Sequence, residues 1–180
     1  MKKILCYGIV VFCCSLFFAA CVKDTDFDQT TEIALTPIVE FDAIYFDLPA
    51  NRFFDSITSA PILTVTDTTE IKFLDDEFLR DNLKRLEFYF KFTNSIPRDF
   101  QVDFQFLNEA NDTTYDVGTS VSPGTPNPVI TEFFENIAGQ DIHRITQANK
   151  LVVLVTIASA DDNLEGTLNL KSKGTYFLEF

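Results

Sequence analysis

The chain has 180 residues, 27 acidic and 14 basic, for a formal charge of −13, with four cysteines and one histidine. The cysteines are Cys6, Cys13, Cys14 and Cys21, so beyond residue 21 a disulfide framework and a Cys/His zinc centre are both excluded. The acidic balance argues against nucleic acid as a partner, because neutralising phosphates needs a basic face.

In chain order, the first predicted element is an export segment. Lys2 and Lys3 precede an apolar run over residues 4–18, broken only by Gly8 and Ser15, and Ala19, Ala20 and Cys21 follow. A charged start, an apolar stretch and small residues at the end describe a signal peptide over 1–20. An uncleaved anchor and a simple secretory signal are the competing readings, and residues 4–20 sit at the short limit for a bilayer span. Phe18-Ala19-Ala20-Cys21 resembles the lipobox of bacterial lipoproteins, with Phe18 where that family usually has Leu. The resemblance implies a diacylglyceryl group on the Cys21 thiol and cleavage before it, so the chain's membrane partner is reached through lipid. The mature chain then has 12 basic and 27 acidic residues, a charge of −15, and keeps 17 of the 20 Phe.

Residues 21–32 are polar and acidic and predict a flexible tether. Lys23, Asp24, Asp26 and Asp28 resemble the surface-export signal of Bacteroidota-type lipoproteins. Asp24, Asp26 and Asp28 also have the spacing of the first EF-hand ligands. Gln29 and Leu35 then stand where that loop needs Gly and Glu, and an acidic solvated linker is the plain alternative.

From residue 33 to 180 a single domain is expected, an all-β antiparallel sandwich, Ig-like or jelly-roll-like, with one or two short helices. Strands are predicted over 43–48, 62–65 and 70–74. A helix is predicted over 75–83, started by Asp75 and Asp76 and pairing Leu79 with Leu83. Leu86, Phe88, Phe90 and Phe92 alternate with polar residues, as do Phe100, Val102, Phe104 and Phe106. Period-two alternation places those Phe on one face of each strand, and the polar stretch 94–99 between them predicts an antiparallel hairpin. Strands over 114–119 and 129–134 flank a loop holding Pro123, Pro126 and Pro128. A second helix is expected over 140–148, with Ile142 and Ile145 on one face. Residues 150–159 read as a central strand buried on both faces. Asp161, Asp162 and Asn163 turn the chain, and Lys171-Ser172-Lys173-Gly174 predicts a last hairpin loop with Gly at a positive φ. The second half, from the Asn94-Ser95-Ile96 turn to Ser172-Lys173-Gly174-Thr175-Tyr176, is similar to small envelope and surface lipoproteins of Bacteroidota, flavobacterial ones included. The resemblance implies an outer-membrane address, at the surface or the periplasmic face, and no particular activity.

The residues that carry chemistry are few. His143 is the lone imidazole and lacks a Gly-x-Ser-x-Gly nucleophile elbow to serve. Paired acids such as Asp75-Asp76 arise from composition, and neither Gly-x-Gly-x-x-Gly nor a Walker loop is present, so no enzyme and no cofactor are expected. Asp161, Asp162, Asn163 and Glu165 form a candidate calcium loop, with a solvated turn as the default. Asp55-Ser56, Asp67-Thr68 and Asp112-Thr113 match the loose Asp-Ser/Thr pattern glycosylated in exported proteins of that bacterial group, which requires Ser56, Thr68 and Thr113 to be exposed. The leading functional expectation is a non-catalytic interaction module for another envelope protein or assembly. The alternative is surface carbohydrate binding, with Tyr89 on a wet strand face as contact candidate. A hydrolase ranks last.

Overall fold

A computed structural model of the protein describes residues 34–71, 74, 77–125 and 127–180. The signal at 1–20 and the tether at 21–32 lie outside the described residues, and with them Cys21, Lys23, Asp24, Asp26 and Asp28; Asp75 and Asp76 do too.

Among the described residues, ten strands and two short helices follow one another as β1 (Ile38–Pro49), β2 (Phe54–Asp55), β3 (Ala60–Pro61), β4 (Thr64–Glu70), α1 (Glu77–Asn82), β5 (Leu83–Asn94), β6 (Phe100–Leu107), β7 (Thr113–Val121), β8 (Val129–Ala138), α2 (Gln140–Ile145), β9 (Lys150–Ile157) and β10 (Thr167–Leu178). One sheet has the order β1-β10-β5-β8 and the other β4-β9-β6-β7, while β2 and β3 form a small separate pair. All pairings are antiparallel, and four of them are nested: β6 with β7, β5 with β8, β4 with β9 and β1 with β10. The chain is therefore one long ribbon with its tip at the β6–β7 turn, rolled up until β10 meets β5 and β9 meets β6. Two four-stranded sheets joined in this way are a jelly roll. The expected β-sandwich with one or two short helices is what the described residues form.

The core lies between the sheets. Phe88, Phe90 and Phe92 point inward from β5, and Phe104 and Phe106 point inward from β6. Phe90 stacks on Phe104 with centroids 4.4 Å apart, and Phe88 on Phe106 at 5.8 Å. Each such ring contributes about 1.5–3 kcal/mol on burial.

Those contacts also correct the expected hairpin. β5 and β6 sit in opposite sheets and do not pair, so residues 94–99 form a corner that carries the chain across the sandwich. Alternation reveals which face is dry, and it does so equally for strands that pair and strands that face each other. Asn94 builds the corner. Its fully buried side chain donates to the carbonyls of Arg98 and Ser122, both at 2.9 Å, and accepts from the Ile96 amide at 2.8 Å.

The strands expected over 62–65 and 70–74 are replaced by the single strand β4. Its polar Thr66, Asp67, Thr68 and Thr69 continue the ladder because β9 pairs with them residue for residue. β9 is central in its sheet, but only one face is dry: Leu151, Val153, Val155 and Ile157 are buried, while Val152 and Leu154 are half-exposed on the other. The last predicted hairpin is absent, since β10 runs unbroken through Lys171, Ser172, Lys173 and Gly174. Gly174 serves there as a seat for the Phe41 ring. A Cβ at that position would lie 2.1 Å from Phe41 Cζ, and positive φ among the described glycines occurs at Gly139 and Gly166 instead. The predicted helices shorten to α1 and α2, with Leu83 already in β5 and Ile142 and Ile145 buried as expected.

Candidate functional site

The two long sides of the sandwich differ. On the β7–β8 side the Tyr115 hydroxyl donates to the Glu135 carboxylate, tying one sheet to the other. The Arg144 guanidinium of α2 lies 5.9 Å from the Tyr115 ring, and Ile142 and Ile145 plug the core beneath. Burial first, and the Glu135 carboxylate second, push the Tyr115 hydroxyl pKa well above the usual phenol range. This side is closed.

The β1–β4 side is open, and a cleft of about 640 Å³ separates the two edge strands. Its floor is Leu151, Val153 and Val155 of β9, and its walls are the inward side chains of β1 (Ile44, Phe46, Leu48) and Val65 of β4. Those four wall residues are only half-buried, so the inner face of the sandwich is accessible here. Asp47, Arg52 and Asp67 add charge to the lining. A β-bulge shapes β1 at this point: the ladder with β10 shifts register between Asp42 and Tyr45. The Ser172 hydroxyl takes over the missing backbone partners, accepting from the Ile44 amide at 2.9 Å and donating to the Ile44 carbonyl at 2.7 Å. Bulges bend and twist the strand that carries them. Among the described residues β1 pairs only with β10 and β4 only with β9, which leaves one backbone edge of each strand open beside an apolar cleft.

Tyr89 lies on the outer face of the β1-β10-β5-β8 sheet, as its alternation requires, but it is half-buried and engaged. Its hydroxyl donates to Glu132 Oε1 at 2.5 Å, and its ring lies 4.8 Å from that of Phe134, the residue directly opposite on β8. The Glu132 bond chiefly raises the Tyr89 pKa. The more accessible aromatics of that face are Tyr45, 85 % exposed, and Phe134, 70 % exposed. Sequence reasoning prefers Tyr89 to Tyr45 and passes over Phe134. The signal for Phe134 was the Phe133-Phe134 doublet, in which only one ring can face inward on a strand.

The remaining candidates are placed as follows. Asp161 Oδ1 accepts from the Asn163 amide at 3.0 Å and Asp161 Oδ2 lies 3.4 Å from Arg98, while Asp162 accepts from the Asn163 side chain at 2.8 Å. These oxygens, with Glu165 nearby in sequence, shape a turn, and among the described residues no group of three or more His, Cys, Asp or Glu side chains is arranged to hold a metal ion. His143 is exposed on α2, its Nε2 3.0 Å from the Gln147 side-chain nitrogen. Ser56, Thr68 and Thr113 are all exposed. Among the described residues no helix is long and apolar enough to cross a membrane.

No protein-family model matches the chain, and no curated protein matches it. Among solved structures, a Parabacteroides distasonis protein described as secreted is 14 % identical over 63 % of this chain and 37 % of its own, with a TM-score of 0.47. The VP2 subviral particle of infectious bursal disease virus is 10 % identical over 79 % of this chain and 32 % of its own, at 0.46. The enzymatically active domain of bacteriophage CBA120 tailspike protein 4 is 10 % identical over 79 % and 19 %, at 0.39. The chain thus spans about a third or less of the length of these proteins. The similarity is slight in each case and carries no functional inference.

Proposed function

We propose that the protein is a lipid-anchored β-sandwich of the bacterial outer membrane that acts as a non-catalytic interaction module, docking a segment of another envelope protein in the β1–β4 cleft. The observation that carries this reading is the asymmetry of the sandwich. One side is sealed by α2 and the Tyr115–Glu135 bond, and the other exposes half-buried Ile44, Phe46, Leu48 and Val65 between two open strand edges. An extended segment inserted there adds backbone hydrogen bonds to a free edge and places alternate side chains in the cleft, which is strand-addition recognition. The anchor rests on Ala19-Ala20-Cys21 after the apolar run.

A second reading, carbohydrate binding on the outer face of the β1-β10-β5-β8 sheet, is favoured by the exposed rings of Tyr45 and Phe134 among polar neighbours. In that arrangement Tyr89 orients Phe134.

One experiment separates these readings. A photo-crosslinking residue is placed in intact cells at Thr66 in the cleft, at Phe134 on the outer face of the first sheet and away from the cleft, and at Gln101 as a control on the other sheet. The expected result is a discrete protein adduct from Thr66 alone; a glycan adduct from Phe134 supports the second reading. Equal labelling at all three positions refutes both. Cys21→Ser in the same cells abolishes processing and detergent partitioning, and unchanged partitioning sinks the anchor.

A further inference from the structure

We propose that the end of the sandwich carrying both ends of the described chain rests against a zwitterionic bilayer surface, with Leu35, Phe78 and Phe180 as its contact; this rests on the lipid anchor at Cys21. Leu35 and Phe180 exchange both backbone hydrogen bonds, at 3.2 and 2.9 Å, as a directly opposed antiparallel pair. Such a pair holds its two side chains next to each other on one face. Phe180 also stacks on Phe78 of α1, with centroids 5.0 Å apart and planes at 23°. The Glu179 amide donates to the Asn82 carbonyl at 3.0 Å, which fixes α1 beside the last strand. The three side chains are 62 %, 55 % and 42 % exposed, in that order. Single exposed apolar residues are ordinary, but these three are contiguous and two are aromatic.

The covalent path identifies what covers them. Leu35 follows Cys21 by fourteen positions. Fourteen residues span at most about 50 Å even when fully extended, so this end cannot leave an acylated Cys21 by more than that. The twelve-residue strand β1 puts the opposite end of the sandwich roughly 40 Å further along. Of the two ends, the one with the apolar patch is joined to the anchor by the shorter covalent path, and tethering raises its effective concentration at the bilayer. Aromatic and aliphatic side chains favour the headgroup region. The neighbouring charges have both signs, with Glu77, Asp81 and Glu179 beside Arg80 and Lys84, all exposed. A mixed rim suits a headgroup that itself carries a phosphate and an ammonium. The mature chain's 12 basic and 27 acidic residues, a charge of −15, oppose an anionic surface.

The test uses the acylated protein reconstituted in vesicles of phosphatidylcholine and phosphatidylethanolamine. Its acylated Cys21 leaves no other thiol in the mature chain, so single labelling sites are available at Glu179→Cys and, at the far end, Ile57→Cys. An environment-sensitive fluorophore at 179 is expected to shift to the blue and to be quenched by headgroup-nitroxide lipid at least twice as strongly as the same fluorophore at 57. Adding Leu35→Ser and Phe180→Ser removes that difference while flotation with the vesicles is retained, and adding phosphatidylglycerol weakens the quenching at 179. Equal quenching at both sites with normal flotation, or quenching at 179 that neither the substitutions nor phosphatidylglycerol alters, overturns the bilayer contact alone. Failure to float overturns the anchor and the contact with it.

Discussion

Gly174→Ala puts the pairing of β1 with β10 to a quantitative test. Phe41 lies directly across from Gly174 in the ladder, and its ring occupies the space that a side chain would need. A Cβ there stands 2.1, 2.4 and 2.8 Å from three ring atoms of Phe41. The ring cannot yield freely, because it also stacks on Tyr176 at 4.5 Å and meets Phe88 edge-on at 6.4 Å. Overpacking of this kind costs about 1–3 kcal/mol. Restricting the unfolded chain by replacing Gly returns about 0.4–1 kcal/mol. The clash is the larger effect, so the net loss is about 1–2 kcal/mol, or roughly 2–8 °C in Tm for a chain of this size. Removing the ring reverses the sign: in a Phe41→Ala background Gly174→Ala stabilises by about 0.4–1 kcal/mol. Urea and thermal unfolding of the four members of this double-mutant cycle, followed by far-UV circular dichroism, measure both numbers. A loss of the same size in both backgrounds refutes the ring-over-glycine packing and returns Gly174 to a turn.

Two more outcomes follow from the geometry. A Tyr89→Cys, Phe134→Cys pair should crosslink on mild oxidation because the two residues are direct partners in the β5–β8 ladder; Tyr89→Cys with Gln105→Cys should not, although a hairpin that pairs 94 with 100 would set 89 opposite 105. Non-reducing electrophoresis or mass spectrometry reads both, and a crosslink in the second pair alone would restore the hairpin. The Asp55 carboxyl pKa is held below the usual carboxylate range, first by the Thr58 hydroxyl at 2.6 Å and then by the Ile57 amide. A depressed folded-state pKa favours the ionised form, so the loop's contribution is present above the ordinary Asp value and is lost as pH falls through the folded one. Thr58→Val should raise the Asp55 pKa in a carboxyl-carbon NMR titration; an unchanged titration contradicts the assignment.

Much of the fold was legible residue by residue. The alternation in 86–92 and 100–106 marked the dry faces correctly, because successive side chains of a strand point to opposite sides wherever the strand lies. The same pattern could not say that Phe90 meets Phe104 across the core and not along a shared sheet, since alternation carries no information about the partner. The sequence pattern splits β4 in two because its own residues are polar, and its continuity comes from the β9 ladder. The cleft was invisible for a related reason: it exists because β1 and β4 occupy the same side of opposite sheets, a relation between residues 44–48 and 65–69 that no local window contains. Tyr89 was placed on the right face, while its bond to Glu132 and its contact with Phe134 depend on β8, more than forty positions along the chain.

By itself, then, the sequence determined what depends on neighbours along the chain: β character, the inward set of Phe, and the residues 1–21 on which the anchor reading stands. Tertiary structure alone decided how the ribbon rolls, which strand edges stay unpaired and where the sandwich opens. Backbone hydrogen bonds are the same for every residue but Pro, so a strand's partner is chosen by the global packing that buries all the dry faces at once.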